Sequence, residues 1–396
     1  MTATVATALV GCGGMGMRHL RGYAALEQAG LSGPRLVAVC DADPERAGAA
    51  GARFQTETGR PVELLSGLDE VLARGQVDAV DLVLPTRLHH QAVLAALDAG
   101  KHVLVEKPFG LTIRACDAMR DGAQRTGLTL AVAENYRRIP SNRALHALVT
   151  SGAIGRPYAV SVHTVQPAAP RPGRDWFFDR PWVGSLPMLE LAVHEADLLR
   201  HLFGDVVEAY AMLGRFEAGE AEDAGVALLR FGGGTLGQLL VLTAGHGGAA
   251  GGRLIAAERG RVTSRRWEGW EDGEVAVEGE PAVASADWIR SWLDGLAPHL
   301  RQRLLPDRSW DPSELRVDVQ DPLRYGIATE LHDFADAVAS GRPPEVGAEA
   351  GTAAVAVCLA VLESAALNAP VAIADVTSGR VRTWQQDLDR ELGLDS

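Results

Sequence analysis

The sequence predicts an α/β chain in two parts. Residues 1–134 read as a doubly wound parallel sheet, and residues 135–396 as an α+β domain on an open, mostly antiparallel sheet. Three observations predict this. As far as Ala133, short apolar runs alternate with helix-like stretches, and strands separated by helices run parallel. A glycine-rich turn, Gly11-Cys12-Gly13-Gly14-Met15-Gly16, separates the first apolar run from the first helical stretch. Beyond Tyr136 the strand-like runs are joined by Gly-rich connections, which suit antiparallel pairing.

Thr4 to Val10 reads as a buried strand and Met17 to Ala29 as a helix. Between such elements the glycines have a mechanism. Gly11 permits the tight turn, Gly13 lets backbone approach a pyrophosphate, and Gly16 lets helix and strand pack closely. The free N–H groups at the helix start, in the turn that includes Gly14 and Met15, then face phosphate. Leu36 to Cys40 is the second strand, and Asp41 ends it. An acid at this strand tip hydrogen-bonds ribose hydroxyls and repels a 2′-phosphate, which favours NAD over NADP. Arg46 is the nearby group able to reach a 2′-phosphate. Asp43 is the expected N-cap of the following helix, with Pro44 at its first position.

Ala79 to Leu84 is the next strand, ending at Pro85, and His89 to Ala99 is a helix closed by Gly100. His102 to Val105, Thr112 to Thr126 and Leu128 to Ala133 read as strand, helix and strand. Ligands of such sheets sit beyond the carboxyl ends of the strands. Asp41, Pro85, Glu106-Lys107 and Glu134-Asn135 all fall there.

In the second part, Ser141 to Thr150 reads as a helix. Arg156 to Val165, Val206 to Leu213, Ala224 to Arg230 and Leu236 to Thr243 read as strands, and Tyr325 to Ser340 and Glu349 to Leu367 as helices. Residues 263–322 form a Trp-rich elaboration containing Trp267, Trp270, Trp288, Trp292 and Trp310. Helical spacing of Trp288, Ile289, Trp292, Leu293 and Leu296 points to a small sub-core over a sheet edge, the alternative being a lid or an aromatic platform against a sugar ring.

The formal charge of −13, with no basic stretch to offset it, argues against nucleic acid or an anionic membrane as partner. Cys12, Cys40, Cys116 and Cys358 are far apart and carry neither a disulfide framework nor zinc spacing, so they read as buried thiols of a reducing compartment. With no leader evident, the expected location is the cytoplasm. The apolar run Ala353 to Leu362 is too short to cross a bilayer and reads as a buried helix.

Two places carry chemistry. Lys107, at a strand tip between Glu106 and Pro108, is placed to hydrogen-bond a reacting oxygen and steady its charge. The helix between Pro187 and Gly204 presents Glu190 and His194 at i and i+4, with Asp197 a turn further on. An imidazole there titrates near neutrality and can take an alcohol proton, while a carboxylate one turn away orients it. No second histidine has metal-ligand spacing, so no metal is expected.

These residues resemble the glucose–fructose oxidoreductase and inositol dehydrogenase family. The resemblance runs through Gly11–Gly16, Asp41, Pro85-Thr86-Arg87-Leu88-His89, and the stretch from Ala99-Gly100-Lys101-His102 to Glu106-Lys107-Pro108. It continues through Asn135-Tyr136-Arg137-Arg138-Ile139-Pro140, Trp176, Gly184 and the helix from Glu190 to Gly204. It implies a Rossmann domain followed by a domain whose open sheet mediates dimers or tetramers. It also implies NAD(P)-dependent oxidation of a sugar or cyclitol hydroxyl, or the reverse reduction. By this resemblance Lys107 and His194 are catalytic, and Pro85, Thr86, His89, Glu106 and Asn135 join the cofactor contacts. The chain departs from the family at Glu190, where Asp is usual, and at Thr86, where Asn is frequent.

The expected activity is hydride transfer between NAD and a secondary hydroxyl or ketone of a sugar, glycoside or cyclitol. Lys107 anchors the oxygen, His194 is the acid/base and Glu190 assists. The alternatives are an NAD-dependent glycosidase working by transient oxidation and elimination, and a non-catalytic NAD-binding protein. Arg137, His163, Asp175, Trp176 and His246 are the further candidates for substrate hydroxyls.

Overall fold

The computed structural model describes residues 4–31, 33–168, 175–217, 221–265, 270, 272–295 and 323–395. They fall in two compact units. The first comprises the chain to Phe109, Cys116–Arg138 and the described part of Ala297–Gly351. The second comprises Gly110–Ala115, the described part of Ile139–Leu296, and Thr352 onward. The sequence reading sets one boundary at 134/135, whereas the compact units interleave.

The first unit follows the alternation read from sequence. Its elements are β1 (Val5–Val10), α1 (Gly14–Gln28), β2 (Pro34–Cys40), α2 (Pro44–Thr58), β3 (Glu63–Leu65), α3 (Leu68–Leu72), β4 (Ala79–Leu82), α4 (His89–Asp98), β5 (His102–Glu106), α5 (Ile113–Thr126) and β6 (Leu130–Ala133). The strands form one sheet in the order β3-β2-β1-β4-β5-β6, with every pairing parallel. Strand order reverses between β1 and β4, which makes the carboxyl ends of these two strands the switch point where ligands bind in such sheets. Asp43 caps α2 by accepting from the Glu45 N–H at 3.0 Å, with Pro44 behind it, as expected. β3 and α3 are short elements that the sequence reading does not contain.

A later helix, Leu323–Ser340, completes the core of this unit. Its Ile327, Leu331 and Phe334 are buried in one cluster with Leu9, Leu20, Tyr23 and Leu104. Each such side chain contributes about 1.5–3 kcal/mol when fully buried. That packing is why a segment distant in sequence belongs to the first compact unit.

The second unit is built on a nine-stranded sheet. Its helices include α6 (Pro140–Thr150), α7 (Arg180–Val183), α8 (Ala192–Phe203) and α9 (Ser285–Asp294), with most of Ala348–Leu367 and the short helices Ile373–Thr377 and Gln386–Glu391 toward the C-terminal end. The strands are β7 (Pro157–Val165), β8 (Val206–Gly214), β9 (Ala224–Phe231), β10 (Leu236–Leu242), β11 (Ala250–Ala257), β12 (Gly260–Ser264), β13 (Glu274–Val277), β14 (Val283–Ala284) and β15 (Val371–Ala372). The order is β14-β13-β12-β11-β7-β10-β9-β8-β15, and β7–β10 is the parallel pair within an otherwise antiparallel ladder. The open, mostly antiparallel sheet read from sequence is therefore present, extended by β11–β15.

Burial alternates along these strands. The inner face carries Val162, Ala227, Leu229, Leu239 and Val241, all buried. The outer face carries Tyr210, Met212, Val226, Leu228, Leu236 and Leu254, all exposed. In the Trp-rich segment, Trp270 is buried and α9 places Ile289 in the core, with Trp288 and Trp292 half-buried. Trp267 and Trp310 lie outside the described residues. Ala348–Leu367 is apolar and long enough to span a membrane by composition, but 72% of that stretch is buried in the protein, as suits a core helix.

Candidate active site

In the first unit the glycine turn is built as its spacing requires. Gly11 has a φ of +100°, and a Cβ there would stand 2.1 Å from the Val83 carbonyl oxygen. A Cβ on Gly16 would stand 1.9 Å from the Gly11 carbonyl oxygen. Only glycine serves at either position. Gly13 and Gly14 differ, because nothing lies within 4 Å of a Cβ on either. Helix α1 starts at Gly14, earlier than the sequence suggests, and no side chain caps it. The helix N-terminus at Gly14 is exposed and carries no capping side chain, so its first N–H groups are left for another acceptor. A pyrophosphate fits such a cradle.

Asp41 stands at the end of β2, half-buried. Its Oδ2 accepts from the Cys12 N–H at 2.8 Å and its Oδ1 from the Asp43 N–H at 2.9 Å. The carboxylate therefore ties the glycine turn to the β2–α2 turn and retains lone pairs for a ribose. Arg46 lies 3.3 Å from Asp43 on the exposed surface of α2. Burial, then the Asp41 charge, pushes the Cys12 thiol up to about 12, so it is inert at neutral pH.

Further along the sheet edge, Pro85 leads into the turn Thr86–Leu88, with Thr86 buried. His89 has no exposed surface. Its Nδ1 lies 3.0 Å from the Pro108 carbonyl oxygen and its Nε2 2.9 Å from that of Leu84. The side chain expected among the cofactor contacts is instead committed to stapling the loops after β4 and β5. Lys107 follows β5 directly and is half-buried; its N–H donates to Glu106 Oε2 at 2.8 Å. Asn135, after β6, is buried against the backbone of Gly326 on helix Leu323–Ser340. Arg137 is buried in the turn Tyr136–Arg138. Its neighbour Arg138 reaches Asp333 and Glu345, each at 3.1 Å.

The carboxyl ends of parallel strands share one edge. Gly11 (β1), Asp41 (β2), Pro85 (β4), Lys107 (β5) and Asn135 (β6) therefore line up as expected. Neighbouring strands are about 4.8 Å apart, which places the lysine position roughly 10 Å from the glycine turn.

In the second unit the helix carrying Glu190 and His194 opens with a π-helical turn, Leu186–Leu191. Ser185 caps it, accepting from the Met188 N–H at 3.4 Å. Glu190 is buried within the π turn, and His194 is half-buried in α8. The π turn ends at Leu191 and α8 begins at Ala192, so Glu190 and His194 lie on either side of that junction. Glu195, on the neighbouring face, is buried and ion-paired to the buried Arg253 of β11, whose guanidinium lies 5.6 Å from the Trp270 ring centroid.

The other candidates are not gathered at this helix. Met188 lies against Gly225 on the inner face of the sheet. His163 is on the outer face, exposed, with its Nε2 3.0 Å from the Ser161 hydroxyl. Period-two alternation along β7 separates the two. Trp176 is half-buried in the turn Asp175–Phe178, 6.5 Å from the Trp182 ring. The Asp175 side chain lies outside the described residues. His246 sits exposed in the β10–β11 connection. Among the described residues no group of three or more His, Cys, Asp or Glu side chains is arranged to hold a metal.

The sequence reading passed over His19, Tyr23, Asp81 and Glu330, which meet inside the first unit. The available signal was Asp81, a carboxylate within the apolar strand Ala79–Leu82.

A parallel sheet with a glycine turn at its switch point and an acid after its second strand is the arrangement of a dinucleotide-binding domain. Residues 5–134 match the oxidoreductase family with an NAD-binding Rossmann fold, and residues 142–263 match the GFO/IDH/MocA C-terminal domain. Inositol 2-dehydrogenase 2 of Saccharopolyspora erythraea is 30% identical over 73% of this chain and 84% of that protein. The chain belongs to the GFO/IDH/MocA oxidoreductase family, and its first unit is the NAD-binding Rossmann fold of that family. D-apiose dehydrogenase of Paraburkholderia graminis is 33% identical over 56% of each chain. Levoglucosan dehydrogenase of Pseudarthrobacter phenanthrenivorans is 31% identical over 52% of this chain and 53% of that one. The matches thus span about half the length of these two relatives. A solved levoglucosan dehydrogenase, in complex with NADH and levoglucosan, shares the fold with a TM-score of 0.77 at 24% identity, covering 94% of this chain and 100% of that chain.

Proposed function

We propose that this protein is an NAD-dependent oxidoreductase that interconverts a secondary hydroxyl and a ketone on a sugar, glycoside or cyclitol. The observation that carries the reading is Lys107, set at the end of β5 on the same sheet edge as the glycine cradle and fixed through its N–H by Glu106. Relatives named as dehydrogenases of apiose, levoglucosan and inositol support the substrate class.

When bound, NAD supplies the hydride acceptor. Lys107 donates a hydrogen bond to the reacting oxygen and offsets the negative charge that develops there. His194 accepts the hydroxyl proton at an imidazole nitrogen, and Glu190, one turn away, orients that ring. Asp41 selects NAD by accepting from ribose hydroxyls and opposing a 2′-phosphate. Arg137, Trp176, Asp175 and His246 remain candidates for binding the substrate ring, whereas His163 is left out because it faces the other side of its sheet.

The outer face of that sheet is the proposed oligomer interface, with a second copy of the chain as its occupant. Met212 and Leu228 on adjacent strands are 71% and 55% exposed, and the row Met212, Val226 and Leu240 runs across three neighbouring strands of that face. The four cysteines are buried and none forms a disulfide, which supports a reducing, cytoplasmic location.

The test is a panel of sugars, glycosides and cyclitols assayed with NAD by nicotinamide absorbance, in the native protein and in Lys107→Ala and His194→Ala. Each variant should lose at least about 100-fold in kcat while still binding NADH. The residual rate of His194→Ala should rise toward high pH. Near-normal turnover in Lys107→Ala refutes the assignment.

A further inference from the structure

Behind Lys107 the first unit holds a chain of ionisable side chains that the proposed chemistry leaves unused. His19, on α1, has no exposed surface. Its Nδ1 lies 2.9 Å from Asp81 Oδ2 on β4, and its Nε2 lies 3.1 Å from Glu106 Oε1 on β5. Tyr23, one turn further along α1, donates its hydroxyl to the same Asp81 oxygen at 3.1 Å. The second Glu106 oxygen accepts the Lys107 N–H at 2.8 Å. Asp81 and Glu106 are both buried.

This geometry sets the protonation of His19. A neutral imidazole has a single N–H, so it can donate to one carboxylate and must turn a lone pair toward the other. Only the imidazolium satisfies both. Burial pulls the His19 pKa down, but the charges and hydrogen bonds of Asp81 and Glu106 outweigh it and hold the group well above its ordinary value.

The other groups that act on the cluster come from neighbouring elements. Glu330, on helix Leu323–Ser340, is buried with neither carboxyl oxygen hydrogen-bonded. Burial drives its pKa well up against the pull of His19 and Arg138, and Glu106 and Asp81 push the same way. Burial and the two carboxylates thus favour the neutral form of Glu330, while the two contacts of His19 favour its cationic form.

We propose that His19 is a positioning residue for the reaction. Locked as an imidazolium between Asp81 and Glu106, it fixes the Glu106 carboxylate, which in turn fixes the backbone from which Lys107 extends at the end of β5. The inference rests on the role given to Lys107 above. A purely structural staple would stabilise the fold without selectively affecting turnover; a positioning group affects kcat at near-constant cofactor affinity.

The experiment compares His19→Gln, Glu106→Gln and the double variant in the full chain. It measures kcat, KM for NAD, KM for a sugar or cyclitol that the native enzyme oxidises, and the unfolding temperature. Each folded single variant should lose roughly 10- to 100-fold in kcat, because displacing a catalytic group by about 1 Å costs that much. In His19→Gln the KM for NAD should stay within about twofold. The double variant should lose little more than the worse single one, since both residues act through one contact. A folded His19→Gln with kcat within about threefold of native, or strictly additive losses, overturns the proposal.

Nitrogen-15 spectra of the native protein decide the matter should the variants not fold. Both His19 ring nitrogens should remain protonated at a pH above the ordinary histidine value of about 6.5. A neutral His19 ring at that pH overturns the proposal. The two readings fail separately. Full activity in Lys107→Ala removes the dehydrogenase assignment, whereas an inactive Lys107→Ala beside an unimpaired His19→Gln removes only this inference.

Discussion

Two glycines of one turn should fail in opposite ways when each gains a methyl group. At Gly16 the added carbon would stand 1.9 Å from the Gly11 carbonyl oxygen, where ordinary contact begins at 3.4 Å. The start of α1 must then retreat by about 1.5 Å from the turn that β1 feeds. Overpacking of this kind costs about 1–3 kcal/mol or more. For a domain of this size that lowers the unfolding temperature by roughly 3–10 °C without ligand. At Gly13 the backbone is extended and nothing stands within 4 Å of the added carbon. Gly13→Ala should therefore keep its stability within about 0.5 kcal/mol. The methyl group instead occupies the space through which a pyrophosphate must approach the N–H groups of α1. The Kd for NADH should rise roughly 10- to 100-fold, about 1.4–2.8 kcal/mol. Thermal unfolding of the ligand-free variants and fluorescence titration with NADH measure the two quantities independently. Native affinity in Gly13→Ala would show that the phosphates do not lie over that residue. An unchanged unfolding temperature in Gly16→Ala would show that the close approach of helix and turn is not needed.

Asp41→Ala removes the ribose acceptor and the anion opposing a 2′-phosphate, so the ratio of kcat/KM for NADPH to that for NADH should rise by about tenfold or more; an unchanged ratio places cofactor selection elsewhere. Replacing Met212 and Leu228 together by Asp should convert the assembly to monomers in light scattering, because two charges would then face an apolar partner; an unchanged mass clears this face of the role. The pH dependence of stability follows from His19 and Glu330. Both pKa values are raised in the folded state, from 6.5 and 4.5. Their contributions are complete below those unfolded values and are lost as pH rises through the folded ones. The unfolding free energy should fall by up to about 1.4 kcal/mol per pH unit for each group, starting above about pH 4.5 for Glu330 and above about pH 6.5 for His19. Urea unfolding between about pH 6.5 and 8.5 reads this slope, and His19→Gln should flatten it; an identical slope in that variant refutes the assignment.

Whether a feature is legible in the sequence depends on whether local or distant contacts determine it. The glycine turn, the Asp43 cap and the period of β1, β2, β4 and β5 are local, and each stands where the residue pattern places it. β11 is different. It opens Ala250-Gly251-Gly252, whose two glycines weaken a strand on their own, and it exists because it pairs with β7 along most of its length. His163 shows the same limit within a correctly read strand, since alternation marks two faces without saying which one a distant helix will cover. The extra residue per turn at Leu186–Leu191 has no marker in the sequence either, and the close fit of Met188 against Gly225 shows what that turn packs on.

Asp81 is the instructive case, because its signal was present and was about distance rather than pattern. A parallel strand covered on both faces has no water for a carboxylate, and burying that charge without a partner costs far more than one strand contributes. A carboxylate among Ala79, Val80 and Leu82 therefore demands a donor from another element. On α1, three residues past Gly16, the donor is a histidine whose second nitrogen must also find an acceptor. That requirement leads to Glu106, and through its other oxygen to the backbone of Lys107. The polar exception inside an apolar strand thus connects the glycine turn's own helix to the residue proposed to hold the reacting oxygen.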